Sequence, residues 1–566
     1  MFVRSKKSGN HHYLQIVENH WEDGHVRQRV IGTLGREDEL RQQGKLEQIL
    51  CSLEKFADHA LVLTAHEKGE ATAIATARIG PPLIFERLWR ETCCGETIET
   101  LVSGRKFGFS VERAVFLTVL HRLVNSGSDR FADKWHQDYK IENADALSLH
   151  QLYRAMAWLG EELRDQKDHT HSPRTTKDLI EEEVFHRRRD LFASLSVVFF
   201  DTTSFYFEGE GGETLGEFGF SKDHRPDRHQ MVLGVIIDEH GRPICSEMWP
   251  GNTADVTALL PVIDRLRNRF RISRMCVVAD RGMISQETID ALDERKIDYI
   301  LGARERSSRE IQDHVLPDTK QPVPLSIPRG HSNRLDLDLQ VRETVVCGRR
   351  YITCINAEEA AKDAAARNAI VDKLKSALKQ GDKALLANKG YRRYLKTPED
   401  SVFEIDPERI KDDERLDGVY ILRTNTKFTS LQVAIQYRQL WKIEKIFRSA
   451  KTLLVTRPIF HQRDATIRGH VFCSFLALIL RKELEDRLAA KGLKPEWADI
   501  LLDLDRLQEI IVEKNGKRFR LRTATTGVCS KVFNAVGVAL PPTISQIAIP
   551  PPQLKKEKVE DCTMST

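Results

Sequence analysis

The chain has 566 residues, 41% of them hydrophobic and 30% charged, with a formal net charge of only +4. That length is too great for one core, so roughly three or four domains are expected, and the near-neutral total leaves local basic patches to decide whether nucleic acid is bound. The ten cysteines form no CxxC pair and no Cys/His zinc spacing, which argues against a zinc module and for reduced thiols in an intracellular protein. The opening MFVRSKKSGNHHYLQ has no apolar signal core, and the longest apolar run, Val471 to Leu480, is too short to cross a bilayer. A soluble, cytoplasmic protein is expected.

From the N-terminus, HYLQIVENHW and HVRQRVIGTLG flank Glu22-Asp23-Gly24, a hairpin signal over 12–34. A helix is expected over about 37–56, then a linker or loose strand over 60–82. Residues 83–165 read as short helices rich in Arg, His and Trp, with Ser148 as an N-cap. That texture suits a DNA-binding bundle and an ordinary helical domain about equally. Residues 164–178 read as a polar connector.

At Leu195 the texture changes. LSVVFFDTTSFYF reads as a central strand carrying Asp201, followed by a Gly/Glu-rich loop, the polar segment FSKDHRPDRHQ, and the strands MVLGVIID and PICSEMW. PGNTADV offers Asn252 or Thr253 as N-cap of a helix over 255–270. RMCVVAD is a strand ending at Asp280, and a helix and KIDYILGAR follow. The order is β-β-β-α-β-α-β, with the first three strands an antiparallel meander. Asp201 and Asp280 each follow an apolar run, where a lone carboxylate is expensive to bury. Together they point to a shared cation at one end of a mixed sheet.

Residues 304–417 read as a β-rich insertion: a Pro-rich stretch, a hairpin turning near Gly348-Arg349, an Ala/Lys helix, and the basic segment KGYRRYLK with Arg392 and Arg393. DGVYILRTN returns to the core as a strand. Tyr437 to Lys451, YRQLWKIEKIFRSAK, then reads as one helix. Tyr437, Glu444 and Lys451 are seven residues apart, so at about 100° per residue they share a stripe. Ile443, Ile446, Phe447, Ala450 and Leu454 form the apolar stripe beside it. A second helix spans Asp464 to Ala490, and a charged, Pro-rich tail that reads as disordered ends the chain.

These blocks resemble a bacterial insertion-sequence transposase of the DDE type, from the insertion-sequence-four superfamily. The resemblance runs from about residue 10 to 548 and is carried by VVFFDTTSFYFEG, GFSKDHRPDRHQMVLGVIID, WPGNTAD, VVADRGM and the Tyr437–Lys451 segment. It implies an α/β, ribonuclease H-like catalytic core, a mixed sheet flanked by helices, with a β-rich insertion and an N-terminal β-hairpin plus helical DNA-binding region. The expected division is 1–58 hairpin and helix, 83–190 helical DNA-binding region, 191–303 and 418–490 the two parts of the core, 304–417 the insertion, and 491–566 a C-terminal region. The group's Tyr-x2-Arg-x3-Glu-x6-Lys signature fits Tyr437, Glu444 and Lys451, but Leu440 stands at the Arg position. Arg438 or Arg448 can supply a nearby cation, with Arg448 the better placed.

The resemblance implies that Asp201, Asp280 and Glu444 are catalytic and ligate two Mg²⁺ ions, with Mn²⁺ as a substitute. Hard divalent cations prefer such oxygen ligands and stabilise charge during phosphodiester cleavage. The implied reaction is cleavage at transposon terminal inverted repeats and strand transfer into target DNA, by a homodimer when DNA-bound, in the bacterial cytoplasm at the nucleoid. Tyr437 and Lys451 are expected to hold phosphates. Trp441 either stacks on an extruded base or is a core Trp beneath the helix. Lys222, His224 and Arg225 lie close enough in the chain to reach the cleft, unless Asp223 and Asp227 make that loop self-paired. Further candidate DNA contacts are the basic runs 186–189 and 265–274, and Arg392 and Arg393. Asp255 reads as first-turn helix charge. Two other readings are a domesticated or inactive transposase that only binds DNA, and a ribonuclease H-like nuclease outside transposition.

Overall fold

In a computed structural model the described residues are 2–547, apart from 23–24, 43–44, 47–48, 50–71, 165–171, 193–194, 273, 304–307, 328–336, 379–392, 397–402 and 515–516. The C-terminal tail, most of residues 47–56 of the expected 37–56 helix and Arg392 lie outside them.

The chain opens with β1 (Phe2–Ser8), β2 (His11–Glu22), β3 (His25–Arg36), α1 (Glu37–Gln42) and β4 (Thr72–Arg78). Six helices follow: α2 (Gly80–Glu91), α3 (Cys94–Val102), α4 (Val111–Asn125), α5 (Asp129–Trp135), α6 (Leu149–Leu159) and α7 (Thr176–Arg187). Next come β5 (Val197–Tyr206), β6 (Gln230–Asp238), β7 (Pro243–Pro250), α8 (Asp255–Arg269), β8 (Cys276–Ala279), α9 (Gln286–Glu294) and β9 (Asp298–Gly302). The segment after them holds β10 (Val323–Ile327), β11 (Leu337–Val346), β12 (Arg349–Asn356), α10 (Ala357–Leu378), the short β13 (Leu395–Lys396) and β14 (Glu404–Ile405), and α11 (Pro407–Glu414). The chain continues through β15 (Val419–Thr424), α12 (Ser430–Arg438), α13 (Trp441–Arg448), α14 (Asp464–Ala490), α15 (Trp497–Asp505), β16 (Gln508–Lys514), β17 (Lys517–Arg522), α16 (Cys529–Val536) and β18 (Ile544–Ile547).

Two compact units result. The smaller one contains the β1-β2-β3 sheet and a second sheet ordered β18-β17-β16-β4. The segment expected as a linker or loose strand thus supplies an edge strand, β4, whose partner lies more than 400 residues away.

The larger unit is built on a nine-stranded sheet ordered β10-β11-β12-β15-β9-β8-β5-β6-β7. The β5, β6 and β7 strands form the expected antiparallel meander, and β8 and β9 run parallel to β5. That order and direction are those of a ribonuclease H-like sheet. Among the described residues of 304–417 the short β13 and β14 pair only with each other, but β10, β11 and β12 do not form a separate sheet. They extend this one, because β12 pairs with β15 and β15 with β9.

Alternation along β5 sends Val198 and Phe200 to one face, where they pack with Leu259 and Ile263 of α8 and Ile289 of α9. Val197, Phe199 and Asp201 therefore face the other side, where α13 crosses β5 and β6. The long helix α14, about 40 Å at 1.5 Å per residue, packs on α4, α6 and β7. Its crossing with α6 is so close that a Cβ on Gly469 would lie 1.9 Å from the Met156 carbonyl oxygen. The helices of 83–165 are therefore packed on the core. Ser148 caps α6 in a capping box. At α8, Ala254 takes the N-cap position expected for Asn252 or Thr253, with no side-chain cap bond.

Candidate active site

Phe200 of β5 is registered against Ala279 of β8 in the parallel pair. The next residue on each strand is Asp201 and Asp280, so the two aspartates stand side by side where β8 ends. Asp201 does not end its own strand, which runs on to Tyr206 paired with β6. Asp201 accepts a bond from the Thr202 amide at 2.7 Å. Burial raises its carboxyl to about 7; Asp280 and Asp255 push the same way, while Lys222 and the Thr202 amide oppose the rise. A buried carboxylate beside a second one, with a donor set that is all oxygen, fits a hard divalent cation.

Tyr437, from the end of α12, donates its hydroxyl to Asp280 Oδ1 at 2.9 Å. Burial and the neighbouring Asp280 raise the Tyr437 phenol far above its ordinary range. Gly302 closes β9 directly under this ring: a Cβ there would lie 2.5 Å from the Tyr437 hydroxyl.

The segment from Tyr437 to Lys451 is not one helix. It is α12, a turn at 439–440, α13, and a π-helical turn over Ser449–Leu453. Around the turn the bonds close three residues back: Leu440 N to Tyr437 O at 3.1 Å and Ile443 N to Leu440 O at 3.0 Å. The two helices seat on different strands, α12 over β9, β12 and β15 and α13 over β5 and β6, and one straight rod cannot follow a twisted sheet across both. Along this interrupted segment Tyr437 reaches Asp280 and Lys451 reaches Asp223, while Glu444 is exposed. The apolar stripe survives, with Ile443, Phe447, Ala450 and Leu454 buried and Ile446 half-buried.

Glu444 is exposed on α13, on the face of the sheet that Asp201 faces. Among the described residues its carboxylate has no hydrogen-bond or ion-pair partner. Nor do Asp201, Asp280 and Glu444 all come within 4.8 Å of one another. Lys451 instead bonds Asp223 at 2.7 Å and lies 5.8 Å above the Phe205 ring. Burial lowers its pKa, and Asp223 works against that. Asp223 is itself buried and held on its other oxygen by Arg457 at 3.2 Å. Arg457 and Arg225 lie over the Tyr206 ring, at 5.4 and 5.1 Å.

The other expected contacts divide the same way. Arg225 pairs with Asp227 at 2.9 Å, the self-paired arrangement of that loop. Arg393 is committed to Asp413. In the run 265–274, Arg265 is paired with Asp178 and Glu247 and Arg269 approaches Asp178 and Glu182, while Arg271 and Arg274 are exposed. In 186–189, Arg187 reaches Glu183 and Glu96, and Arg188 reaches Glu483. His224 and Arg448 are exposed. Trp441 is 54% exposed and borders a cleft with His240, Lys445 and Lys482, so it is not a core Trp beneath the helix.

Asp255 and Arg457 were not legible as site residues. Asp255 looks like any first-turn carboxylate, yet it accepts from the Thr202 hydroxyl at 2.5 Å and pairs with Lys222 at 3.0 Å. Nothing in the spacing of Arg457 marks it either. Elsewhere, Asp129, His461 and His470 gather their ligand atoms within 4.8 Å. Their positions are taken, however: His470 Nδ1 accepts from Arg122 at 2.9 Å and its Nε2 donates to the Thr456 carbonyl at 3.1 Å.

The fold and the paired strand aspartates define a ribonuclease H-like core of the DDE kind. The family described as Transposase DDE domain matches residues 193–480, half of the chain, and the IS1634 family transposase N-terminal domain matches residues 2–65. The chain belongs to the DDE transposase family. No curated protein matches it. Similar solved structures include the Mos1 transposase paired-end complex with left transposon end, at 13% identity and a TM-score of 0.14 over 34% of this chain and 60% of that one. A pre-cleavage Mos1 transpososome follows at 11% identity and a TM-score of 0.13, over 34% and 61%. The chain thus spans about three-fifths of the length of these structures, and at such scores the fold rests on the strand order described above. Among the described residues no helix is long and apolar enough to cross a membrane.

Proposed function

We propose that the chain cuts DNA at transposon ends and joins the freed 3′-hydroxyl to target DNA, acting as a homodimer on two ends. The observation that carries this reading is the side-by-side placement of Asp201 and Asp280 on neighbouring parallel strands. Membership in the DDE transposase family supports it.

In this reading Asp201 and Asp280 offer the first carboxylate oxygens, and Glu444 on α13 supplies the third. When bound, two Mg²⁺ ions stabilise negative charge on the attacking and leaving oxygens, and Mn²⁺ can replace them. Tyr437 holds the Asp280 carboxylate in one orientation through its hydroxyl. The exposed His224 and Arg448 contact backbone phosphates, and the exposed Trp441 ring offers a stacking face. Lys451, already paired with Asp223, acts by holding the 221–230 loop against the end of β5.

The test is cleavage of DNA carrying the inverted repeats that flank the gene, in Mg²⁺, by wild type and by Asp201→Ala, Asp280→Ala and Glu444→Ala. All three variants are expected to leave the ends uncut while still binding them. A variant that cuts normally removes its residue from the catalytic set. Normal cutting by Glu444→Ala would be the most informative, because Glu444 is the one carboxylate standing apart.

A further inference from the structure

The side chain of Lys222 points inward, to three acceptors. Its ammonium donates to the Thr202 carbonyl at 2.9 Å, to the Thr202 hydroxyl at 2.7 Å, and to Asp255 Oδ2 at 3.0 Å. All three N–H bonds of the ammonium are thereby used. The Thr202 hydroxyl, accepting from Lys222, donates its own hydrogen bond to Asp255 Oδ1 at 2.5 Å. Asp255 has both oxygens engaged, and the triangle Lys222–Thr202–Asp255 is closed. The Lys222 main chain is tied down as well, by a 2.8 Å bond to the Ser204 hydroxyl. Thr202 is the next residue after Asp201, and Asp255 lies beside the turn that follows Asp280, 3.4 Å from where a Gly282 Cβ would be.

The arrangement fits neither a DNA contact nor a surface ion pair. A lysine that reaches for phosphate keeps its donors free; this one has spent them. Both Lys222 and Asp255 are about three-quarters buried, and two of the three acceptors belong to the residue adjoining Asp201.

We propose that Lys222, locked by Thr202 and Asp255, is a fixed counter-cation of the Asp201/Asp280 site that sets how tightly the site takes a divalent cation, with Asp255 acting through Lys222. The proposal rests on the reading of Asp201 and Asp280 as metal ligands. Lys222 and Asp255 are positioning residues: their opposite charges cancel next to the site, and neither one is a ligand. A positive charge held there opposes a second one, so its removal strengthens cation binding, while removal of the Asp255 charge leaves Lys222 uncompensated and weakens it.

The experiment measures the affinity of the full chain for Mn²⁺ alone, by electron paramagnetic resonance of free Mn²⁺, without DNA or turnover. Lys222→Gln, whose amide still donates to Thr202, is expected to bind roughly tenfold tighter than wild type, and Asp255→Asn roughly tenfold weaker. Lys222→Arg, which keeps the charge, is expected to restore wild-type affinity. The double variant Lys222→Gln/Asp255→Asn is expected to return close to wild type, because the net local charge is again zero. If the double variant stays as weak as Asp255→Asn alone, Asp255 is itself a ligand and the proposal is overturned. It is equally overturned if Lys222→Gln leaves Mn²⁺ affinity unchanged but weakens metal-free DNA binding. Asp201→Asn is the separate control: if it binds Mn²⁺ like wild type, the carboxylate site itself is misassigned, whatever Lys222 does.

Discussion

Asp201 is costly to the fold when it is ionised, and the cost can be measured. Its carboxyl stands at about 7 against an ordinary value of 3.8, through burial first and the nearby Asp280 and Asp255 second. The folded-state value lies above that of the unfolded chain. Between about pH 4 and 7 the folded protein therefore holds a proton that the unfolded chain has released, and stability falls as pH rises through that window. A difference of about three pH units corresponds to at most about 4 kcal/mol, and water entering a half-buried site brings the expected value to about 1–3 kcal/mol. Asp201→Asn removes the charge and keeps the shape. In EDTA at pH 8 the variant should unfold at higher temperature or denaturant concentration than wild type. At pH 5, about one unit into that window, the gain should shrink to well under half of its size at pH 8. Thermal and urea unfolding at both pH values decide the matter. A variant that is less stable than wild type at pH 8, or that gains equally at pH 5, would refute the buried-charge account of this site.

Three further outcomes are expected. Gly469→Ala should destabilise the larger unit by about 3 kcal/mol or more in thermal unfolding, because its Cβ would meet the Met156 carbonyl at 1.9 Å; Gly104→Ala, with nothing within 4 Å, should be close to neutral. Asp129→Ala strips the buried Arg122 and His461 of their carboxylate partner and should cost about 3–5 kcal/mol in the same measurement. Tyr437→Phe loses one bond to a carboxylate, worth about 1.5–3 kcal/mol, and frees Asp280 to rotate. It should lower the rate of Mg²⁺-dependent end cleavage by about tenfold or more with end binding unchanged in a mobility-shift assay. A fall in binding instead would mean that Tyr437 touches the DNA.

The β-β-β-α-β-α-β order was legible because buried strands and amphipathic helices leave periodic traces that depend only on neighbours in the chain. Asp201 and Asp280 stood out for the same reason, each as an acidic residue following an apolar run. The bounds of α14, Asp464 to Ala490, could likewise be read directly. The turn at 439–440 left no such trace: no Gly or Pro marks it, and it arises where α12 and α13 seat on different strands of a twisted sheet. The 304–417 hairpin read correctly as β but gave no sign that it continues the core sheet, because strand pairing is a property of distant edges.

Chain order and local periodicity thus settled the kinds of element and the two strand aspartates, while specific motif blocks carried the family resemblance. Tertiary structure alone decided which charges are spent and which are free. Lys222, Lys451, Arg225 and Arg393 all read as cations available to DNA, and each is paired inside the protein. Asp255, unremarkable in sequence, sits within the field of Asp201. The physical reason is range. Periodicity is set by neighbours a few residues away, whereas the electrostatics of a site sum over groups that the fold brings within a few ångströms from any point in the chain.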